Sequence, residues 1–196
     1  MALGEVQAAL ARLFTDEAAR IAFLKDPPGA GRALGLDASD AATLAQMAPQ
    51  ALRRFAGALQ AKRVQEARKR MPLTAQALGD SFAEHWRAAA ASPAKGAGRV
   101  AEAQALARRL ATLAKTKALA PAWIGDLASY EAAFVEAAQR RCGLRLRLFR
   151  FPVGTIAAPL SAGAPVGEIG RRLTLGVWAR WPGGRLWHRL WGVSVA

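Results

Sequence analysis

The hydrophobic period of this chain changes once, at Gly143, and that change constrains the fold more than any other feature. Before it, apolar residues recur at helical spacing; after it they alternate. "LRLRLFRF" (Leu144 to Phe151), "RRLTLGVWARW" (Arg171 to Trp181) and "RLWHRLWGVSV" (Arg185 to Val195) are predicted strands. Pro182-Gly183-Gly184 joins the last two, its glycines suited to the positive φ of a tight hairpin. Alternation gives each strand two faces. Leu144, Leu146 and Leu148 point one way; Arg145, Arg147 and Phe149 point the other. In the last strand Arg185, Trp187, Arg189 and Trp191 lie opposite Leu186, His188 and Leu190. The expectation is a leucine face packed as core, with an Arg/Trp face turned outward.

The chain before Gly143 reads as a series of capped helices. Thr15 and Asp16 can cap one that Pro27-Pro28 closes, and Gly35 after Leu34 fits a left-handed C-cap with Leu36 as its apolar contact. Asp37 or Ser39 caps the helix of Leu44 and Met47, and a longer helix runs from about Pro49 to Arg70. Leu78, Phe82, Trp86 and Ala89 form a further stripe. "SPAKGAG" (Ser92 to Gly98) reads as a linker, which divides a helical domain, 1–92, from a second domain, 93–196. In that second domain two helices, one carrying Val100 to Leu113 and one Trp123 to Ala138, precede the strands. The predicted class is therefore α+β: an N-terminal helical bundle, then a small domain of two helices and a three-stranded antiparallel sheet.

The net charge is +14, and the chain from Arg140 onward holds ten Arg, no Lys and a single acid, Glu168. Such a field favours an anionic partner. Arg outnumbers Lys by 22 to 6, as GC-rich coding would produce, but coding bias accounts poorly for the shortage of acids. The longest uncharged run, Phe151 to Gly167, contains Pro152, Pro159 and Pro165 and is not expected to span a membrane. The N-terminus lacks a cationic segment followed by an apolar one, so no secretory signal is read there. One cysteine, Cys142, excludes an internal disulfide and suits a reducing cytoplasm.

No catalytic or metal-binding pattern emerges. His85 and His188 have no carboxylate or cysteine at ligand spacing, and His188 is expected to be a packed core residue. Cys142, between arginines and a helix end, reads as structural. Ser81, Ser129, Ser161 and Ser194 sit in no nucleophile motif, and the acids read as helix-surface caps and ion pairs.

"LFTDEAARIAFLKDP", "LGLDASDAATL", "LRRFAGALQAKR" and "PLTAQALGDSF", between residues 10 and 90, resemble the helical domain of a bacterial two-domain family. That family is similar in layout to the partner subunits of multinuclear non-haem iron oxidative enzymes, of which the methanobactin-biosynthesis partner protein is the best known. Over 93–196 the resemblance rests on layout and on "GRVAEAQALARRLA", "LASYEAA" and "RFPV". It implies a non-catalytic accessory subunit in a heterodimer with an iron-dependent peptide-modifying enzyme. This chain would hold no cofactor, the iron lying in the partner, and would bind the leader of a ribosomally made precursor peptide. An open sheet edge can accept such a peptide as an added strand. The residues expected to hold an acidic peptide are Arg145, Arg147, Phe149, Arg180, Trp187, Arg189 and Trp191. The rival expectation is nucleic acid, with arginines on phosphates and tryptophans stacked on bases, although no helix-turn-helix or RRM signature is present.

Overall fold

The computed structural model describes residues 3–91 and 98–193. The chain divides into two compact units, Met1–Gln65 and Glu66–Ala196. The linker expected at Ser92–Gly98 lies, Gly98 apart, outside the described residues.

The first unit is helical because its caps leave the chain little choice. α1 (Leu3–Thr15) gives way to α2 (Glu17–Lys25), where the Asp16 carboxylate accepts the Ala19 N–H at 3.0 Å. Asp26 does the same for α3 (Pro27–Ala33), accepting from Gly29 at 3.1 Å. The prolines expected to end α2 therefore also begin α3, a position where the missing N–H costs nothing. Gly35 turns left-handed at φ 82°, and the Leu36 N–H returns to the Gly31 carbonyl at 2.9 Å. Asp37 then caps α4 (Ala38–Ala45) through the Asp40 N–H at 2.7 Å. Ala9, Leu13, Phe23, Leu36, Ala41 and Leu52 make the core of this unit. α5 (Pro49–Arg70) supplies Leu52 and runs past the division between the units.

The second unit is built around one buried helix. After α6 (Pro72–Leu78), a single 3₁₀ turn and α7 (Phe82–Ala91), α8 (Arg99–Lys115) packs along α9 (Trp123–Gln139). α9 also contacts α6, α10 (Val153–Ser161) and the sheet. Its residues are buried nearly all round, from Trp123 to Ala137, as expected of a helix at the centre of a fold. α10 lies within the proline-containing run Phe151 to Gly167, for which the sequence suggested no helix. Val153, Ile156, Ala157 and Leu160 are buried on one face, and Pro159 stands near its end.

β1 (Gly143–Phe149), β2 (Thr174–Arg180) and β3 (Trp187–Gly192) form an antiparallel sheet in the order β1-β2-β3. The expected α+β class is what the chain adopts. The β2–β3 turn closes with Gly183 at φ 71° and the Gly184 N–H on the Trp181 carbonyl at 2.9 Å.

Candidate functional site

Register decides which side chains share a face. Leu146 stands opposite Val177, which stands opposite Arg189; Leu148 faces Leu175 and then Trp191; Leu144 faces Ala179 and then Trp187. These nine positions form one surface of the sheet, since directly paired residues point the same way. The other surface carries Arg145, Trp178 and His188 in one row, and Arg147, Gly176 and Leu190 in the next.

The surface turned toward α9 is the second one. Trp178 and Phe149 are 1% and 2% exposed, and their rings cluster with Tyr130 and Phe134 of α9. Leu144, Leu146 and Leu148 are instead 66%, 55% and 63% exposed. The leucine face expected as core is therefore the outward one. The seven residues expected to bind a peptide do not share a face. Trp187, Arg189 and Trp191 lie outward, among the leucines. Arg145, Arg147, Phe149 and Arg180 lie on the α9 side, where Phe149 is buried and Arg180 donates to the Ala138 carbonyl at 2.6 Å.

The reason for the inversion lies on α9, which carries three buried acids at intervals of five residues: Asp126, Glu131 and Glu136. Five residues advance a helix by about 140°, so the three carboxylates leave the axis in different directions. Each ties a different element to the helix. Asp126 accepts the backbone N–H of Arg150 and of Phe151, at 2.6 and 3.1 Å, fixing the chain as it leaves β1. Glu131 accepts from Leu73 and Thr74 at 2.8 and 2.7 Å and so caps the N-terminus of α6. Burial still pushes the Glu131 carboxyl above its ordinary range, against the lowering effect of those bonds. Glu136 pairs with Arg145 of β1, and with Arg140 at 3.3 Å. An arginine on the core side of β1 is thus neutralised, and the leucines are left to face out. The acids expected on helix surfaces are in these three cases buried ties. The signal was available in the sequence: α9 is otherwise so apolar that its acids could not all reach solvent.

His188 lies on the α9 side, as expected, but at its margin rather than in the core. Its Nε2 is 3.3 Å from the Tyr130 hydroxyl, and its ring packs edge-on against Phe134 at 4.7 Å. Partial burial lowers its pKa, and burial raises that of Tyr130. Cys142, read as structural, is exposed. Among the described residues no group of three His, Cys, Asp or Glu side chains is placed to hold a metal. No helix among them is long and apolar enough to cross a membrane.

The result is a sheet with two unlike faces, one carrying Trp178 and Phe149 together with three arginines and His188, the other mainly apolar. Helices cover one. The other presents Leu144, Leu146, Leu148, Leu175, Val177, Trp187 and Trp191, with Arg189 the charged residue among its register positions. An apolar surface of this kind marks an interaction site far more often than a solvated one. Comparison of the chain with protein families, with curated proteins and with solved structures finds no match.

Proposed function

We propose that the chain is a non-catalytic adaptor that holds an extended acidic polypeptide against the outer face and β1 edge of its C-terminal sheet. The observation behind this reading is the row of three exposed leucines on a strand with one strand neighbour. Covering a Leu side chain is worth about 1.5–3 kcal/mol, and an unpaired strand edge offers backbone hydrogen bonds besides. Such a surface suits β-augmentation, in which the main chain supplies affinity and alternate side chains supply selectivity. Charge selects the occupant. Ten arginines and a single acid from Arg140 onward would repel a second copy of this chain and attract an acidic segment.

In the terms of the family resemblance, that segment is the leader of a ribosomally made precursor peptide. The partner is then an iron-dependent oxidative subunit that keeps the iron, docked in the cytoplasm on part of the helical unit as a heterodimer. The test is co-purification of the tagged chain with its genomic neighbours co-expressed, followed by mass spectrometry and iron analysis. Wild-type chain should retain an iron-bearing subunit and a small acidic peptide. Leu146→Asp should lose the peptide and keep the subunit. Retention of nucleic acid that washes off steeply with salt, without a protein partner, would overturn the reading in favour of phosphate binding.

A further inference from the structure

Beside β1, on the α9 side of the sheet, α8 and α9 leave a cleft of about 280 Å³. Its polar lining is Arg108 and Gln104 of α8, Ser129 of α9 and Arg147 of β1, over a floor of alanines. Two features make this more than a gap between helices. The first is that no acid lines it. Asp126, Glu131 and Glu136 are spent on Arg150, α6 and Arg145, and Glu102 of α8 pairs with Arg70 at 3.0 Å. Neither Arg108 nor Arg147 has a carboxylate partner among the described residues. The second is position. Through Arg147 the cleft between α8 and α9 reaches β1, the edge strand on which a further strand could be added.

We infer that this cleft is a carboxylate site, which receives the acidic side chains of a polypeptide added as a strand along β1. The inference rests on the adaptor reading and adds the chemistry of the ligand. An added strand lies about 4.8 Å from β1, and its side chains alternate between the two faces of the sheet. One set extends the leucine face. The other set drops into the cleft between Arg108 and Arg147, where guanidinium forks match carboxylate geometry and Gln104 adds an amide donor. The alanine floor lets a carboxylate approach both arginines. The ligand is therefore a segment that alternates apolar and acidic residues, rather than one that is acidic throughout.

The probes are a short labelled peptide of alternating Leu and Glu, the same peptide with Gln for Glu, and inorganic phosphate. Each is titrated against wild type, Arg108→Gln, Arg147→Gln and Leu146→Asp at one ionic strength. The Glu peptide should bind at least about tenfold tighter than the Gln peptide, as charge-assisted bonds require. Either arginine substitution should bring that ratio close to one without moving the melting temperature, because neither guanidinium is tied to the fold. If wild type binds both peptides equally and Leu146→Asp weakens both, the adaptor reading stands and the carboxylate site is overturned. If phosphate alone binds, and Arg108→Gln abolishes it, the cleft serves a free anion and a peptide carboxylate is overturned as its ligand. If nothing binds, both readings fall.

Discussion

Two neighbours on β1 should respond to substitution very differently. Arg145 points toward α9 and pairs with Glu136, whose side chain is 8% exposed, while that of Arg145 is 31% exposed. Arg145→Ala leaves the carboxylate with Arg140 at 3.3 Å, a side chain that is itself 59% exposed and weakly held. The second oxygen of Glu136 already lacks a partner, so little else can compensate. Breaking a fully buried pair costs about 3–5 kcal/mol; the partial exposure of Arg145 reduces this to about 2 kcal/mol. For a chain of this size that lowers the melting temperature by about 4–8 °C. Leu146→Lys, one residue on, adds a charge where the side chain is 55% exposed and should change stability by no more than about 0.5 kcal/mol. Thermal melts followed by circular dichroism at one pH and salt concentration measure both. If Leu146→Lys proves the more destabilising, the leucine face is the packed one and the sheet has been oriented wrongly.

Substitutions at three further positions probe the second unit. Glu131→Ala removes the acceptor of two backbone N–H groups at the start of α6 and should cost about 3 kcal/mol, with Glu131→Gln between it and wild type, in chemical denaturation. Gly125→Ala would place a Cβ 3.0 Å from the Ala111 Cα and 3.1 Å from the Leu110 carbonyl oxygen. Those are backbone atoms of α8, so the two helices must part, at about 1–3 kcal/mol in the same assay. His188 sets a pH dependence. Its folded pKa lies below the ordinary 6.5, so it is neutral in both states above that value and contributes nothing to the slope. As pH falls through 6.5 the unfolded chain takes up the proton first, and stability is lost until the folded pKa is passed. Melting temperatures from neutral pH down to about pH 5 should fall less steeply in His188→Phe than in wild type.

The helices of the first unit were legible because their ends carry local chemistry. Asp16, Asp37 and Gly35 each act within a few residues of themselves, and a short-range pattern reports them directly. α5 was legible over its whole length, Pro49 to Arg70, because one proline stands at its first residue and another, Pro72, just beyond its last. α10 was missed because its prolines drew attention from the i, i+3, i+4, i+7 spacing of Val153, Ile156, Ala157 and Leu160, which Pro159 does not interrupt. The strands and their hairpin were legible from alternation. Which face they bury was not, because alternation sorts residues into two sets without choosing between them. The choice was made by Glu136, Asp126 and the aromatic rings of α9 and β2, at sequence distances that no local pattern spans. The candidate site suffered accordingly. Trp187, Arg189 and Trp191 do face outward as expected, but so do the leucines beside them, which alternation alone assigned to the core.

The division of the sheet into a covered and an open face also sorts the tryptophans of this chain optically. Trp86, Trp123 and Trp178 are buried, whereas Trp181, Trp187 and Trp191 are exposed, two of them on the outer face itself. Emission from the buried three should be blue and insensitive to quencher, and that from the exposed three red and readily quenched by iodide or acrylamide. Anything that settles on the open face shields Trp187 and Trp191, shifting the spectrum and cutting the quenchable fraction while the buried signal stays constant. The unlabelled protein therefore carries its own gauge of occupancy, with an internal standard built in.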